Sequence, residues 1–134
     1  MSGAALNVWL VDDDASIRWV LERALRNDGM TARAFEAAEG ALDALRREAP
    51  DVLITDIRMP GASGLELLRR IRDQRPALPV IVMTAHSDLG SAVSAYEGGA
   101  FEYLPKPFDI DQAVALVRRA ASAGLPGSGA GGAS

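Results

Sequence analysis

The sequence predicts an α/β fold, a doubly wound five-stranded parallel sheet with helices on both faces. Three observations predict it. Short apolar runs, several rich in Val and Ile as strands buried on both faces tend to be, alternate with stretches of helical period. The alternation repeats five times between residues 7 and 122, which is the pattern of successive β-α units. The chain has 134 residues, 49% of them apolar, the size of one domain able to bury roughly two thirds of its unfolded surface.

The first strand is expected over residues 8–11 of NVWLV, with Trp9 buried between Val8 and Leu10. Ile17, Val20, Leu21, Ala24 and Leu25 follow at i, i+3, i+4, i+7 and i+8, an amphipathic helix closed by Asn27-Asp28-Gly29. A weak second strand covers 31–35, and Ala38, Ala41, Leu42 and Leu45 mark the next helix, which stops before Ala49-Pro50. The third strand covers 52–55. After a turn at Pro60-Gly61, Leu65, Leu68 and Ile71 carry the third helix. The fourth strand covers 80–83, and a helix over about 87–98 places Leu89, Ala92, Val93 and Tyr96 on one side before Gly98-Gly99. The fifth strand covers 101–104, and Ile110, Ala113, Val114, Val117 and Ala121 form the last helix. Residues 5–122 are therefore expected to form the domain. Residues 123–134 have the Gly/Ser-rich composition of a flexible tail or linker.

Composition excludes several classes of function. No apolar run reaches the ~18 residues of a membrane span, and MSGAALN has neither the basic start nor the apolar stretch of a signal peptide. A cytoplasmic protein without membrane contact is expected. The absence of cysteine removes disulfides and thiolate metal sites, and a net charge of −4 gives no electrostatic footprint for direct nucleic-acid contact.

Ligands of such sheets bind at the carboxyl ends of the strands. There the sequence places Asp12 and Asp13, Asp56, Thr84 and Lys106. Neighbouring strands lie about 4.8 Å apart, so if the first and third are adjacent three carboxylates share one small space. Two carboxylates within ~4 Å repel by about 4 kcal/mol at an effective dielectric of 20, so a cation is needed to resolve them. Oxygen donors with room for water suit a hard octahedral ion such as Mg²⁺.

Lys106 is the only lysine beside thirteen arginines, and it stands between Pro105 and Pro107. Its compact ammonium can neutralise a carboxylate or a phosphoryl oxygen as a point charge, which a guanidinium fork does not reproduce. The X-Pro bond has an accessible cis form, and a cis Lys106-Pro107 peptide is expected as the chain folds back over the strand ends. A carboxylate held beside Mg²⁺, with a hydroxyl and an ammonium opposite, can attack phosphorus and hold the equatorial oxygens of the transferring group. Asp56 is the best nucleophile, because the adjacent Asp12 and Asp13 serve better as a metal pair. The expected product is an aspartyl phosphate.

The segments LVDDD, TDIRMPGASGLELL, VIVMTAHSD and FEYLPKPFD closely resemble the receiver domain of bacterial two-component response regulators over residues 7–122, in wording nearest the nitrogen-regulation (NtrC-like) group. The resemblance implies the flavodoxin/CheY-like (βα)5 fold with strand order 2-1-3-4-5. It implies Asp56 as phosphoacceptor from an NtrB-like sensor histidine kinase, and Asp13 and the Arg58 backbone carbonyl as metal ligands, with Asp12 a ligand through water. Thr84 and Lys106 become the phosphoryl contacts and Tyr103 the switch aromatic. It also implies an ATPase acting with σ54 polymerase and a DNA-binding domain as output partners, and a receiver homodimer on activation. On this reading the domain is a phosphoacceptor in signalling and not a turnover enzyme.

Rival readings remain. DDDAS fits the D-x-D-x-[ST] pattern of haloacid-dehalogenase-type phosphohydrolases, with Asp12 as nucleophile and Asp14 as acid/base. A flavodoxin-like cofactor site needs a phosphate-cradling first loop, which here is acidic and repulsive. A binding-only pseudo-receiver would be expected to lack Asp56, Thr84 or Lys106. Asp14 otherwise reads as a helix cap or solvent-facing group beside Ser16, and His86, the only histidine, as a loop residue at the rim of the site. Trp19 lies off its helix's apolar stripe, where it can serve as a docking contact for the kinase. The fourth helix, diluted by Gly90 and serines, is the expected mobile element, with Thr84, His86, Leu89, Val93 and Tyr103 taking part in the switch.

Overall fold

The computed structural model describes residues 5–58, 64–85 and 89–124, and of Ala85, Leu89, Ser91, Ala92 and Gly124 it describes the backbone. In chain order the elements are β1 (Asn7–Val11), α1 (Ala15–Asn27), β2 (Thr31–Phe35), α2 (Ala38–Leu45), β3 (Val52–Asp56), α3 (Gly64–Gln74), β4 (Val80–Ala85), α4 (Leu89–Glu97), β5 (Glu102–Lys106) and α5 (Ile110–Gly124). The five strands form one parallel sheet in the order β2-β1-β3-β4-β5. The Pro60-Gly61 turn, His86 and the tail beyond Gly124 lie outside the described residues.

Side chains alternate across the sheet with a period of two, so each strand feeds two cores. Trp9, Val11, Leu53, Val80 and Val82 pack on one face with α2 and α3, joined by Ala95 of α4. Val8, Leu10, Ile54, Ile81, Met83 and Leu104 pack on the other with α1 and α5. Trp9 is buried as its alternation predicts, its ring 5.2 Å from that of Phe35. Asp14 caps α1, its carboxylate accepting from the amides of Ser16 and Ile17. That satisfies two donors that the first helical turn otherwise leaves open.

Several boundaries differ from the sequence reading. β3, β4 and β5 continue past their apolar runs to Asp56, Ala85 and Lys106. β5 carries Pro105 in register with Thr84, and its place at the sheet edge tolerates the missing donor. α5 runs to Gly124, two residues beyond the expected boundary at 122. The stripe of α1 is narrower than expected: Leu21 and Leu25 are buried, while Val20 sits on the shoulder and is exposed. In α4 the anchor is Ala95, fully buried, whereas Val93 and Tyr96 are 51% and 41% exposed. A small side chain at the contact lets that helix approach the sheet and leaves Val93 and Tyr96 outside.

Candidate functional site

The parallel register brings the carboxyl ends of β1, β3, β4 and β5 to one edge. Val11 is in register with Thr55, Asp56 with Met83 and Ala85 with Lys106, so Asp12, Asp56, Thr84 and Lys106 cluster there by sheet geometry alone. Asp12, Asp56 and Thr84 are buried, and Asp13 is exposed. One carboxylate oxygen from each of Asp12, Asp13 and Asp56 lies within 4.8 Å of the others.

Lys106 answers part of this negative charge. Its ammonium donates to Asp12 Oδ2 at 3.2 Å and stands 3.3 Å from Asp56 Oδ1. The Lys106–Pro107 peptide is cis. Burial pushes the Asp56 carboxyl above the ordinary carboxylate range and the neighbouring Asp12 charge pushes it further, outweighing the pull of Lys106. Burial by itself would lower the Lys106 ammonium, but Asp12 and then Asp56 raise it by more, so it stays charged. One ammonium does not fully compensate the three carboxylates. Three converging oxygen donors, one open to solvent, with unbalanced negative charge, fit a hard divalent cation that keeps part of its water shell.

Asp12 is held at three of its atoms. Oδ1 accepts from the amide of Asp14 at 2.9 Å, Oδ2 from Lys106, and the main-chain carbonyl from Arg18 Nη1 at 2.6 Å. Sequence reasoning missed Arg18, which has no signature beyond its place one helical turn after Asp14. It also missed Gly64, where a Cβ would lie 2.2 Å from the Asp56 carbonyl oxygen and 2.7 Å from Ile57 Cα. Its amide donates to the Ile57 carbonyl at 2.9 Å, so α3 starts directly against the backbone that carries Asp56. The glycine that opens the helical pattern GLELL was the available signal.

Asp14, the acid/base of the phosphohydrolase alternative, spends its carboxylate on capping α1. Arg58 is exposed, two residues past the end of β3. Tyr103 on β5 meets Tyr96 of α4 edge to face, with ring centroids 5.5 Å apart, and the Tyr96 hydroxyl donates to Glu102. Val93 is exposed, and His86 and the Leu89 side chain lie outside the described residues. Trp19 is 60% exposed on α1, with the Arg23 guanidinium 5.3 Å from its ring centroid. Among the described residues no helix is long and apolar enough to cross a membrane.

The family model described as "Response regulator receiver domain" matches residues 8–118. The DNA-binding transcriptional regulator NtrC of Escherichia coli (strain K12) is 65% identical over 115 residues, 86% of this chain and 24% of that protein. The chain thus spans about a quarter of the length of the curated relatives it matches. The solution structure of the apo receiver domain of nitrogen regulatory protein C superposes with a TM-score of 0.80 at 64% identity, covering 87% of this chain and 94% of that one. NtrX from Brucella abortus, crystallised with ADP, superposes with a TM-score of 0.86 at 33% identity over 90% of this chain and 28% of that one.

Proposed function

This chain belongs to the response regulator receiver family, as the receiver domain of an NtrC-like response regulator, and from that premise we propose that Asp56 accepts a phosphoryl group from a sensor histidine kinase. The observation that carries the reading is the pairing of a buried Asp56 with Lys106 inside a three-carboxylate cluster.

A carboxylate oxygen of Asp56 attacks phosphorus in line, an O–P bond forms, and the N–P bond of the phosphohistidine breaks with its electron pair returning to the imidazole nitrogen. Lys106, already charged beside Asp56, holds one equatorial oxygen as its partner carboxylate loses charge. Thr84, at the end of β4, supplies a hydroxyl donor to another. Mg²⁺ held by Asp12, Asp13, Asp56 and the Arg58 carbonyl would neutralise the charge that builds on the transferring group. The exposed Trp19 on α1 supports kinase docking through that helix.

The phosphoryl group then biases the α4/β5 face through Thr84 and Tyr103. Its output is a σ54-dependent ATPase and DNA-binding module in the full-length cytoplasmic protein, with a receiver homodimer as a further activated partner. The domain accepts one group and holds it; it does not turn over substrate.

Intact-mass spectrometry after incubation with acetyl phosphate tests this. One phosphoryl adduct is expected, dependent on Mg²⁺, lost in Asp56→Ala and greatly reduced in Asp13→Ala. An adduct that persists in Asp56→Ala, or sustained turnover abolished by Asp14→Ala alone, would overturn the reading.

A further inference from the structure

We infer that Arg18 is a positioning residue for the acidic site, fixing the Asp12–Asp13 peptide so that Asp13 faces Asp56 and thereby setting the site's affinity for a divalent cation. The inference rests on the reading of Asp12, Asp13 and Asp56 as the cation site. Arg18 belongs to the first turn of α1, and its amide donates to the Asp14 carbonyl at 3.1 Å. The loop it must control is therefore tied to the helix that carries it. From there its guanidinium reaches back over the turn to the Asp12 carbonyl at 2.6 Å, a short charge-assisted hydrogen bond.

That carbonyl is half of the peptide unit leading into Asp13. Asp12 has both carboxylate oxygens engaged as well, one by Asp14 and one by Lys106. Asp13 is exposed, and no hydrogen bond among the described residues holds its carboxylate. Its direction is set by the backbone on its two sides: Asp14 capping α1 on one, the Asp12 carbonyl clamped by Arg18 on the other. Arg18 is not part of the buried stripe of Leu21 and Leu25, so its role does not reduce to core packing.

Two physical effects of this side chain have opposite signs. As a positive charge near a cation site it opposes metal binding, and its removal would tighten that binding. As a clamp on a ligand-bearing loop it favours binding, and its removal would weaken it; partners that orient metal ligands typically change affinity by about 10–100-fold. The clamp is the larger effect here because the hydrogen bond is direct and short, while the charge is already engaged with a carbonyl dipole.

The experiment is a Mg²⁺ titration of the unphosphorylated domain, followed by the amide chemical shifts of Asp13 and Asp14, in wild type, Arg18→Met, Arg18→Lys and Asp13→Asn. Arg18→Met is expected to weaken Mg²⁺ binding about tenfold, with Arg18→Lys, which keeps a charged donor, recovering most of the loss. An Arg18→Met protein that binds Mg²⁺ as tightly as wild type, or more tightly, overturns the inference while an Asp13-dependent wild-type titration leaves the cation site standing. A wild type without saturable shifts at these amides overturns both. Should Arg18→Met not fold, Arg18→Gln carries the same test with the same expected and overturning results.

Discussion

The ammonium of Lys106 stands 3.3 Å from Asp56 Oδ1 at the strand ends. The chain is otherwise rich in arginine, so this contact between its only lysine and a buried carboxylate is specific to the site. The same Nζ serves Asp12, so one cation restrains two buried carboxylates. Removing one partner of a buried pair costs roughly 3–5 kcal/mol because the other is left uncompensated. Lys106 keeps 27% side-chain exposure, which places the loss in Lys106→Met lower, at about 2 kcal/mol. Urea unfolding at neutral pH without divalent cations measures it. An unchanged midpoint would mean that the pairing contributes nothing to the fold.

A second expectation follows from the raised Asp56 pKa. The folded carboxyl binds its proton more tightly than the unfolded one, whose ordinary value is 3.8. Between 3.8 and the raised value the native state therefore holds more protons, and unfolding free energy falls as pH rises through that window. In metal-free buffer Asp56→Asn should be more stable than wild type at neutral pH, and the gap should close as pH falls through the window. Thermal melts of both proteins across that range check it; a gap that ignores pH would contradict the electrostatic cause.

The fold was legible because Val- and Ile-rich runs alternate with helical periods, and the site because polar residues stop those runs. What stayed hidden has physical reasons. Asp56 and Lys106 end β3 and β5, but the strands run past their apolar runs to include them, since backbone pairing continues where hydropathy breaks. Ala95 anchors α4 although its weak hydrophobicity gave it no weight beside Val93 and Tyr96. Arg18 and Gly64 act on backbone carbonyls, and such contacts leave no periodic trace in the chain.

Gly64 supplies a third expectation whose sign separates two effects. In an ordinary helix Gly→Ala is favourable by about 1 kcal/mol. Here a Cβ would stand 2.2 Å from the Asp56 carbonyl, with backbone that cannot rotate away. Gly64→Ala should destabilise the domain by about 1–3 kcal/mol, as overpacking does. It should also slow acetyl phosphate labelling by displacing Asp56. Denaturant unfolding and the labelling rate report the two consequences; a stabilised variant with normal labelling would show that α3 can move aside.

The last expectation concerns how the α4/β5 face holds its resting arrangement. Tyr96 on α4 donates its hydroxyl to Glu102 on β5, Arg119 of α5 approaches the same carboxylate at 4.0 Å, and the Tyr96 ring meets Tyr103 edge to face. Ala95 of α4 is buried, and these polar and aromatic contacts tie the helix to β5. Burial and the adjacent Glu102 charge push the Tyr96 hydroxyl up to about 12. Glu102→Gln removes the anion, so the Tyr96 pKa should fall toward the ordinary 10.0, read from phenolate absorbance against pH. The amides of residues 93–97 should then exchange faster, because a weakly anchored helix has lost a tether. Beryllofluoride with Mg²⁺ should shift the same amides and those of β5 in wild type, as a population shift limited by the differential affinity of the two states. Glu102→Gln should lie part-way along that shift before any activator is added. Chemical-shift changes confined to the loops around Asp12 and Asp56, with residues 93–104 unmoved in both experiments, would rule out this face as the route by which the signal leaves the site.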